Sequence, residues 1–288
     1  MGGRLVLALC LWMSPLAALA APVEATINVA GVARHYMIDA PAPHGPKPTI
    51  IFLHGLGGAA IAAMQATQLP LVGEQQGFVS VFPAALAHRW NVFPDGGAPA
   101  SYLQDWRQAG ASAPDDVGFI RALVHELVAR GVADPKRVYI AGFSAGGFMS
   151  MWLVCKNAEL FAGVALISSS MPQPAGANCR PSLSMPLYAL KGTADQNEPY
   201  NGGTVLDGSF AVWSAQELTD FFRQLDGCGD HSTPVSVAGA NAARESFRQW
   251  SCANGPVILG TVQNGAHALY PAPPPAQTLW WFFAPLHR

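Results

Sequence analysis

Short apolar runs alternate along this 288-residue chain with stretches whose apolar positions repeat at helical spacing. The runs predict strands near 35–39, 49–53, 78–82, 137–142, 162–168, 186–190 and 256–262. The clearest helix is Asp115 to Arg130, where Val117, Ile120, Leu123, Val124, Leu127 and Val128 recur on one face, acidic residues open it and Gly131 follows. Ile50 to Leu53 and Val164 to Ile167 are apolar at every position, as suits central parallel strands covered on both sides. The alternation predicts an α/β fold in which a mostly parallel central sheet carries helices on both faces, as a single domain over residues 21–288.

Some segments lack this order. Residues 83–114 show no periodicity but hold Trp90, Phe93, Tyr102 and Trp106 among Gly and Pro. A loop that long is usually functional, so Trp90 and Trp106 are candidates to line a substrate cleft, with core packing as the alternative. Pro41 to Pro48 and Pro271 to Pro275 read as turns, and Leu279 to Phe283 as a closing helix. The short stretch after His267 predicts that closing helix and not an appended polymer-binding domain.

The chemistry begins at Gly142-Phe143-Ser144-Ala145-Gly146, a GxSxG between the apolar run Arg137 to Ala141 and a helix-compatible stretch from Gly147. A strand turning this sharply into a helix needs small residues two before and two after the serine, and it lifts the Ser144 hydroxyl clear of the backbone. Such a nucleophile requires an acid and then a histidine downstream, each just after a strand. Asp195 follows the apolar run Leu187 to Leu190 and a Gly-containing turn. His267 follows Val257 to Val262 and the turn Asn264-Gly265-Ala266. Asp207, Asp220, Asp226 and Asp230 close no strand and read as solvated surface, with Asp220 and Asp226 on an amphipathic helical stretch around Leu218 and Phe222. His35, His44, His54 and His88 precede the serine, His125 lies on a helix, and His231 and His287 lie in a polar loop and near the C-terminus. Most of these histidines read as surface or supporting groups.

Acyl transfer also needs two backbone N–H groups facing the developing oxyanion. Ala145 supplies one, and the glycine loop His54-Gly55-Leu56-Gly57-Gly58 after the strand Thr49 to Leu53 supplies the other, from Leu56 or alternatively Gly57. A phosphate-cradling loop is the rival reading, but no Lys-Ser or Lys-Thr pair closes it and no GxGxxG opens a helix.

Arg4, the apolar Leu5 to Leu19 and the small residues Ala18-Leu19-Ala20 read as a signal peptide over residues 1–20, which predicts export to the periplasm or the medium. The run is interrupted by Ser14 and Pro15 and is too short for a membrane span. Its removal leaves 15 basic against 18 acidic residues, which points to neither nucleic acid nor an anionic membrane as partner. It also takes Cys10 away, leaving Cys155, Cys179, Cys228 and Cys252. An even count in an exported chain reads as two disulfides. Of the three pairings, Cys155 with Cys179 and Cys228 with Cys252 each close a short loop, with buried free thiols as the alternative. No CxxC or close Cys/His set calls for a metal, and no cofactor is expected.

The chain resembles the secreted α/β-hydrolase esterases that include polyhydroxybutyrate depolymerases, feruloyl esterases and acetylxylan esterases. The resemblance is carried by Asp115-Asp116-Val117-Gly118-Phe119-Ile120, by Asp134 to Gly147 around the serine, and by Phe161-Ala162-Gly163-Val164-Ala165. The family's GTAD-x-x-x-PY-x-GG motif matches Gly192 to Asp195 with Pro199-Tyr200 and Gly202-Gly203, which implies Asp195 as the acid; Ala266-His267 matches its glycine-histidine motif, which implies His267 as the base. The chain departs from the family at Lys191, where a histidine is common, and at Ala266 and Leu269-Tyr270-Pro271, where a second glycine and Trp-Pro are common. The resemblance implies an α/β-hydrolase fold and a serine esterase acting through an acyl-enzyme on a small or oligomeric ester. A peptidase of the same fold and a binding protein without turnover are the rival readings.

Overall fold

The computed structural model describes residues 22–41, 45–96, 98, 100–108, 112–205 and 210–288. The segment read as a signal peptide, His44 and Asp207 lie outside them.

The strands are β1 (Val23–Val29), β2 (Val32–Asp39), β3 (Lys47–Leu53), β4 (Val79–Pro83), β5 (Ala133–Phe143), β6 (Val164–Ile167), β7 (Leu187–Gly192), β8 (Gly203–Val205), β9 (Phe210–Val212), β10 (Thr233–Pro234), β11 (Glu245–Trp250) and β12 (Val257–Val262). The helices are α1 (Ala60–Thr67), α2 (Leu69–Gln76), α3 (Ala100–Gln108), α4 (Asp116–Ala129), α5 (Ala145–Asn157), α6 (Gln173–Gly176), α7 (Ala215–Leu225) and α8 (Pro275–Phe283). Among the described residues ten strands form one sheet in the order β1, β2, β4, β3, β5, β6, β7, β12, β11, β10, and β8 pairs with β9 apart from it. From β4 to β12 the neighbours are parallel, while β1, β2, β11 and β10 are joined antiparallel at the two sides.

The seven runs expected as strands are β2 to β7 and β12. Their period-two alternation divides the core. Ile51, Leu53, Val138, Ile140, Val164 and Leu166 face one layer with α4, α5 and α7. Ile50, Phe52, Tyr139, Ala141, Ala165 and Ile167 face the other with α1 and α8. Residues apolar at every position are thus buried on both sides, the arrangement parallel sheets require.

Two expectations need correction. Residues 83–114 are not all loop: a short 3-10 turn at Leu86–His88 and α3 lie within them, and Trp90 and Trp106 are buried at 0% and 1% exposure in the core. Asp226 is not solvated surface, because it caps the end of α7 buried, accepting hydrogen bonds from Ser184 Oγ at 2.9 Å and from the Asn254 backbone at 3.0 Å. His54, among the histidines read as surface or supporting groups, is of the second kind, 3% exposed. The two disulfides pair Cys155 with Cys179 and Cys228 with Cys252, each across 24 residues.

Candidate active site

The turn from β5 into α5 holds Ser144 at φ 54° and ψ −125°, a left-handed conformation that side chains avoid. Such a conformation costs about 1–3 kcal/mol and persists only where its surroundings enforce it. Here the Ser144 N–H donates to the Ile167 carbonyl at 3.1 Å, and the Ser144 carbonyl accepts from Gly147 N at 2.8 Å and Ser169 Oγ at 2.8 Å. The flanking glycines are sterically obligatory: a Cβ on Gly142 would overlap the Gly146 backbone, and one on Gly146 would overlap the Leu53 carbonyl.

Asp195 lies three residues beyond β7, 4% exposed. Its Oδ1 accepts the backbone N–H groups of Asn197 at 3.0 Å and Glu198 at 2.8 Å, which fix the carboxylate. His267, 72 residues later, brings Nδ1 to 2.9 Å from Asp195 Oδ2. The two loops are stitched together: Ala194 N donates to the Gly265 carbonyl at 3.0 Å and Asn264 N to Thr193 Oγ1 at 2.8 Å. The Phe143 ring packs 5.0 Å from the imidazole, beside the elbow.

Ser144, Ala145, His267 and Leu56 line one cavity of about 620 Å³. In the glycine loop the Gly57 N–H is engaged, donating to the His88 carbonyl at 2.9 Å. The Leu56 and Ala145 N–H groups donate to nothing among the described residues. His54 braces this loop. Its Nε2 accepts from Ala85 N at 3.2 Å, so Nδ1 carries the proton and donates to the Gly55 carbonyl at 2.8 Å. Burial holds the His54 pKa below its ordinary value, in keeping with a neutral ring.

Neither Trp90 nor Trp106 reaches the cavity. The Trp90 indole donates to the His54 carbonyl at 2.8 Å and the Trp106 indole to the Leu86 carbonyl at 3.1 Å, so both polar tips are spent inside the core. The walls are instead Val92, Tyr102, Phe148, Val205 and the polar run Gln196, Asn197 and Glu198. A second, apolar cavity of about 190 Å³ shares Leu56 and Phe143 with the first and is backed by Ala59, Ala62 and Ala63.

Sequence reasoning also passed over a charged pair beneath the site. Lys191 is fully buried and its ammonium donates to the Ser169 carbonyl at 3.2 Å. Burial pushes the Glu198 carboxyl well above the usual carboxylate range and the Lys191 ammonium below its own, and each charge opposes the other's shift. Their spacing, seven residues apart across a turn, leaves no sequence signature. Among the described residues no cluster of three His, Cys, Asp or Glu could hold a metal ion.

A parallel sheet, a strained serine at a strand-to-helix turn and an Asp–His pair delivered by later strands define an α/β-hydrolase fold. The chain belongs to the phospholipase/carboxylesterase family, whose model matches residues 35–221, and is a hydrolase of the carboxylesterase type. It is 29% identical over 259 residues to NocK of Nocardia uniformis subsp. tsuyamanensis, a protein named as an esterase, covering 84% of this chain and 72% of that one. It is 27% identical to feruloyl esterase B of Piromyces equi across 77% of this chain but only 39% of the relative. Poly(3-hydroxyalkanoate) depolymerase C of Paucimonas lemoignei is 28% identical, with 77% of this chain matching 50% of that protein. The chain thus spans half or less of the length of these last two. The acetyl xylan esterase of Aspergillus awamori shares the fold with a TM-score of 0.57, over 86% of this chain and 94% of its own, at 13% identity.

Proposed function

We propose that this chain hydrolyses carboxylic esters in two steps through an acyl-enzyme on Ser144. The observation that carries the reading is the pairing of His267 Nδ1 with Asp195 at 2.9 Å in a cavity wall shared with Ser144. With Nδ1–H donated to Asp195, Nε2 is the free base. Ser144 Oγ attacks the ester carbonyl carbon while Nε2 takes the hydroxyl proton. The tetrahedral intermediate collapses, the C–O bond to the alcohol breaks, and His267 returns the proton to the departing oxygen. Water then attacks the acyl carbon with the same base, releasing the acid and restoring Ser144. The Leu56 and Ala145 N–H groups serve as the oxyanion donors, each contributing about 3 kcal/mol of transition-state stabilisation.

The names of the relatives support small or oligomeric hydroxyalkanoate and aryl esters as substrates. Two disulfides support action outside the cytoplasm. The reading is tested by turnover of p-nitrophenyl acetate and butyrate, methyl ferulate and hydroxybutyrate oligomers, with fluorophosphonate labelling of the wild type and of Ser144→Ala. Hydrolysis together with labelling that the substitution abolishes is expected. Labelling that persists in the variant, or a wild type that turns over none of these esters, overturns it.

A further inference from the structure

We propose that Glu198 is a substrate-recognition residue whose carboxyl accepts a hydrogen bond from a hydroxyl group of the ester held in the cavity. The inference rests on the ester-hydrolase reading of that cavity. Glu198 lines the cavity together with Ser144 and His267, yet is only 3% exposed. Its Oε2 is buried without any hydrogen-bond partner. Buried polar atoms are almost always satisfied, so a carboxyl in a cavity wall with one oxygen closed off and unpartnered has bonding capacity left that a ligand held at its cavity-facing side completes. The position is also fixed relative to the reacting atoms. Asp195 Oδ1, in the carboxylate that holds His267, accepts the Glu198 backbone N–H at 2.8 Å.

The surrounding charges say what kind of group is wanted. Lys191 is buried below, and its positive charge acts on both Glu198 and Asp195. A counter-charge for Glu198 is therefore already present, so the missing partner is a neutral donor and not a second cation. A substrate carboxylate is disfavoured, since no Lys or Arg is among the cavity's described lining residues. Gln196, Asn197 and Thr204, which line the same wall, suit a hydroxyl-bearing group in the same way.

The test compares matched esters with the full-length wild type, Glu198→Gln and Glu198→Leu. On the acyl side the pair is p-nitrophenyl butyrate and p-nitrophenyl 3-hydroxybutyrate, with p-nitrophenyl 3-aminobutyrate as the ammonium arm. On the alcohol side the pair is propyl butyrate and glycerol monobutyrate. The wild type is expected to favour the hydroxylated member of at least one pair by about tenfold or more in kcat/KM, mainly through KM. Glu198→Leu is expected to abolish that ratio, and Glu198→Gln, which keeps an acceptor oxygen, to retain part of it. Because the readout is a ratio, it does not depend on how much variant folds. If Glu198→Leu yields no folded protein, Lys191→Met/Glu198→Leu removes both buried ionisable groups and takes its place. A wild type that hydrolyses the butyrates without discriminating overturns this inference alone, as does a ratio unchanged in the leucine variants or a preference for the amino ester. A wild type that hydrolyses none of these esters overturns the esterase reading with it.

Discussion

Trp90 Nε1 donates to the carbonyl of His54 at 2.8 Å, joining a fully buried indole to the loop that carries Leu56. The His54 ring lies against the same indole, with centroids 5.1 Å apart. The tryptophan thus holds the glycine loop from below while His88 holds it from outside, through Gly57 N at 2.9 Å and Gly58 O at 2.8 Å. Of the two places the sequence left open for Trp90, cleft wall or core, the structure shows the core, with its N–H tied to the glycine loop.

Trp90→Phe keeps an aromatic filler but removes the N–H. The expected outcome is about a tenfold loss of kcat, equivalent to about 1.4 kcal/mol, because the Leu56 donor is less rigidly placed when the oxyanion forms. KM should move less, and stability should fall by about 1 kcal/mol for the lost hydrogen bond. Steady-state kinetics on p-nitrophenyl butyrate with a thermal melt measure both. An unchanged kcat in a destabilised protein would assign Trp90 to packing alone.

The positive φ of Ser144 makes a second prediction. Ser144→Ala keeps a Cβ and therefore the strain, whereas Ser144→Gly removes the Cβ and releases it. In the interior of an ordinary helix or strand glycine would be the less stable of the two. Here Ser144→Gly should be more stable than Ser144→Ala by about 1 kcal/mol, with both inactive. Urea denaturation of the two variants decides it, and an alanine variant as stable as the glycine one would mean that the elbow stores no strain in its side chain.

What could be read along the chain follows from how local each cause is. The central strands were legible because a strand covered on both faces must be apolar at every position, as Ile50 to Leu53 and Val164 to Ile167 are. The elbow was legible because its steric demand falls on Gly142 and Gly146, two residues on either side of Ser144. The antiparallel strands β1 and β11 were missed, since half their residues face solvent and Val23–Val29 and Glu245–Trp250 carry charged side chains. α3 was missed because its nine residues, Ala100–Gln108, lie in a Gly- and Pro-rich neighbourhood. Burial of His54, Lys191, Glu198 and Asp226 depends on partners distant in sequence, such as Ala85 for His54 and Asn254 for Asp226. No local pattern announces a charged residue that folding will enclose.

Each disulfide closes a loop of about two dozen residues, Cys155 to Cys179 at the end of α5 and Cys228 to Cys252 beyond α7. Loop-closure entropy for that length assigns about 3 kcal/mol to each cross-link. Cys228→Ser/Cys252→Ser is expected to lose about that much stability, as the buried Asp226 contacts beside it lose their tether. Denaturant titration of the variant, and of the wild type with and without reductant, measures the effect. Equal midpoints in all three would show that the loop is held by its hydrogen bonds alone.

Asp39, at the end of β2, is 1% exposed, and its Oδ2 has no hydrogen-bond partner. Burial, with the Glu74 carboxylate nearby, raises its pKa to about 6. An acid whose folded pKa lies above its unfolded value holds its proton more tightly in the folded state. Between about pH 4 and pH 6, therefore, the folded state binds more protons than the unfolded one, and stability falls as pH rises through that window. Above it the ionised Asp39 is a standing cost on the order of 1–3 kcal/mol. Asp39→Asn removes the charge at constant shape, so the variant should melt at nearly the wild-type temperature at pH 4 and several degrees higher at pH 7.5. Thermal melts of both proteins across that range give the difference directly. A variant that is less stable at pH 7.5 would mean that the ionised carboxylate is favourably held in the folded protein and that the sign of its pKa shift is the reverse.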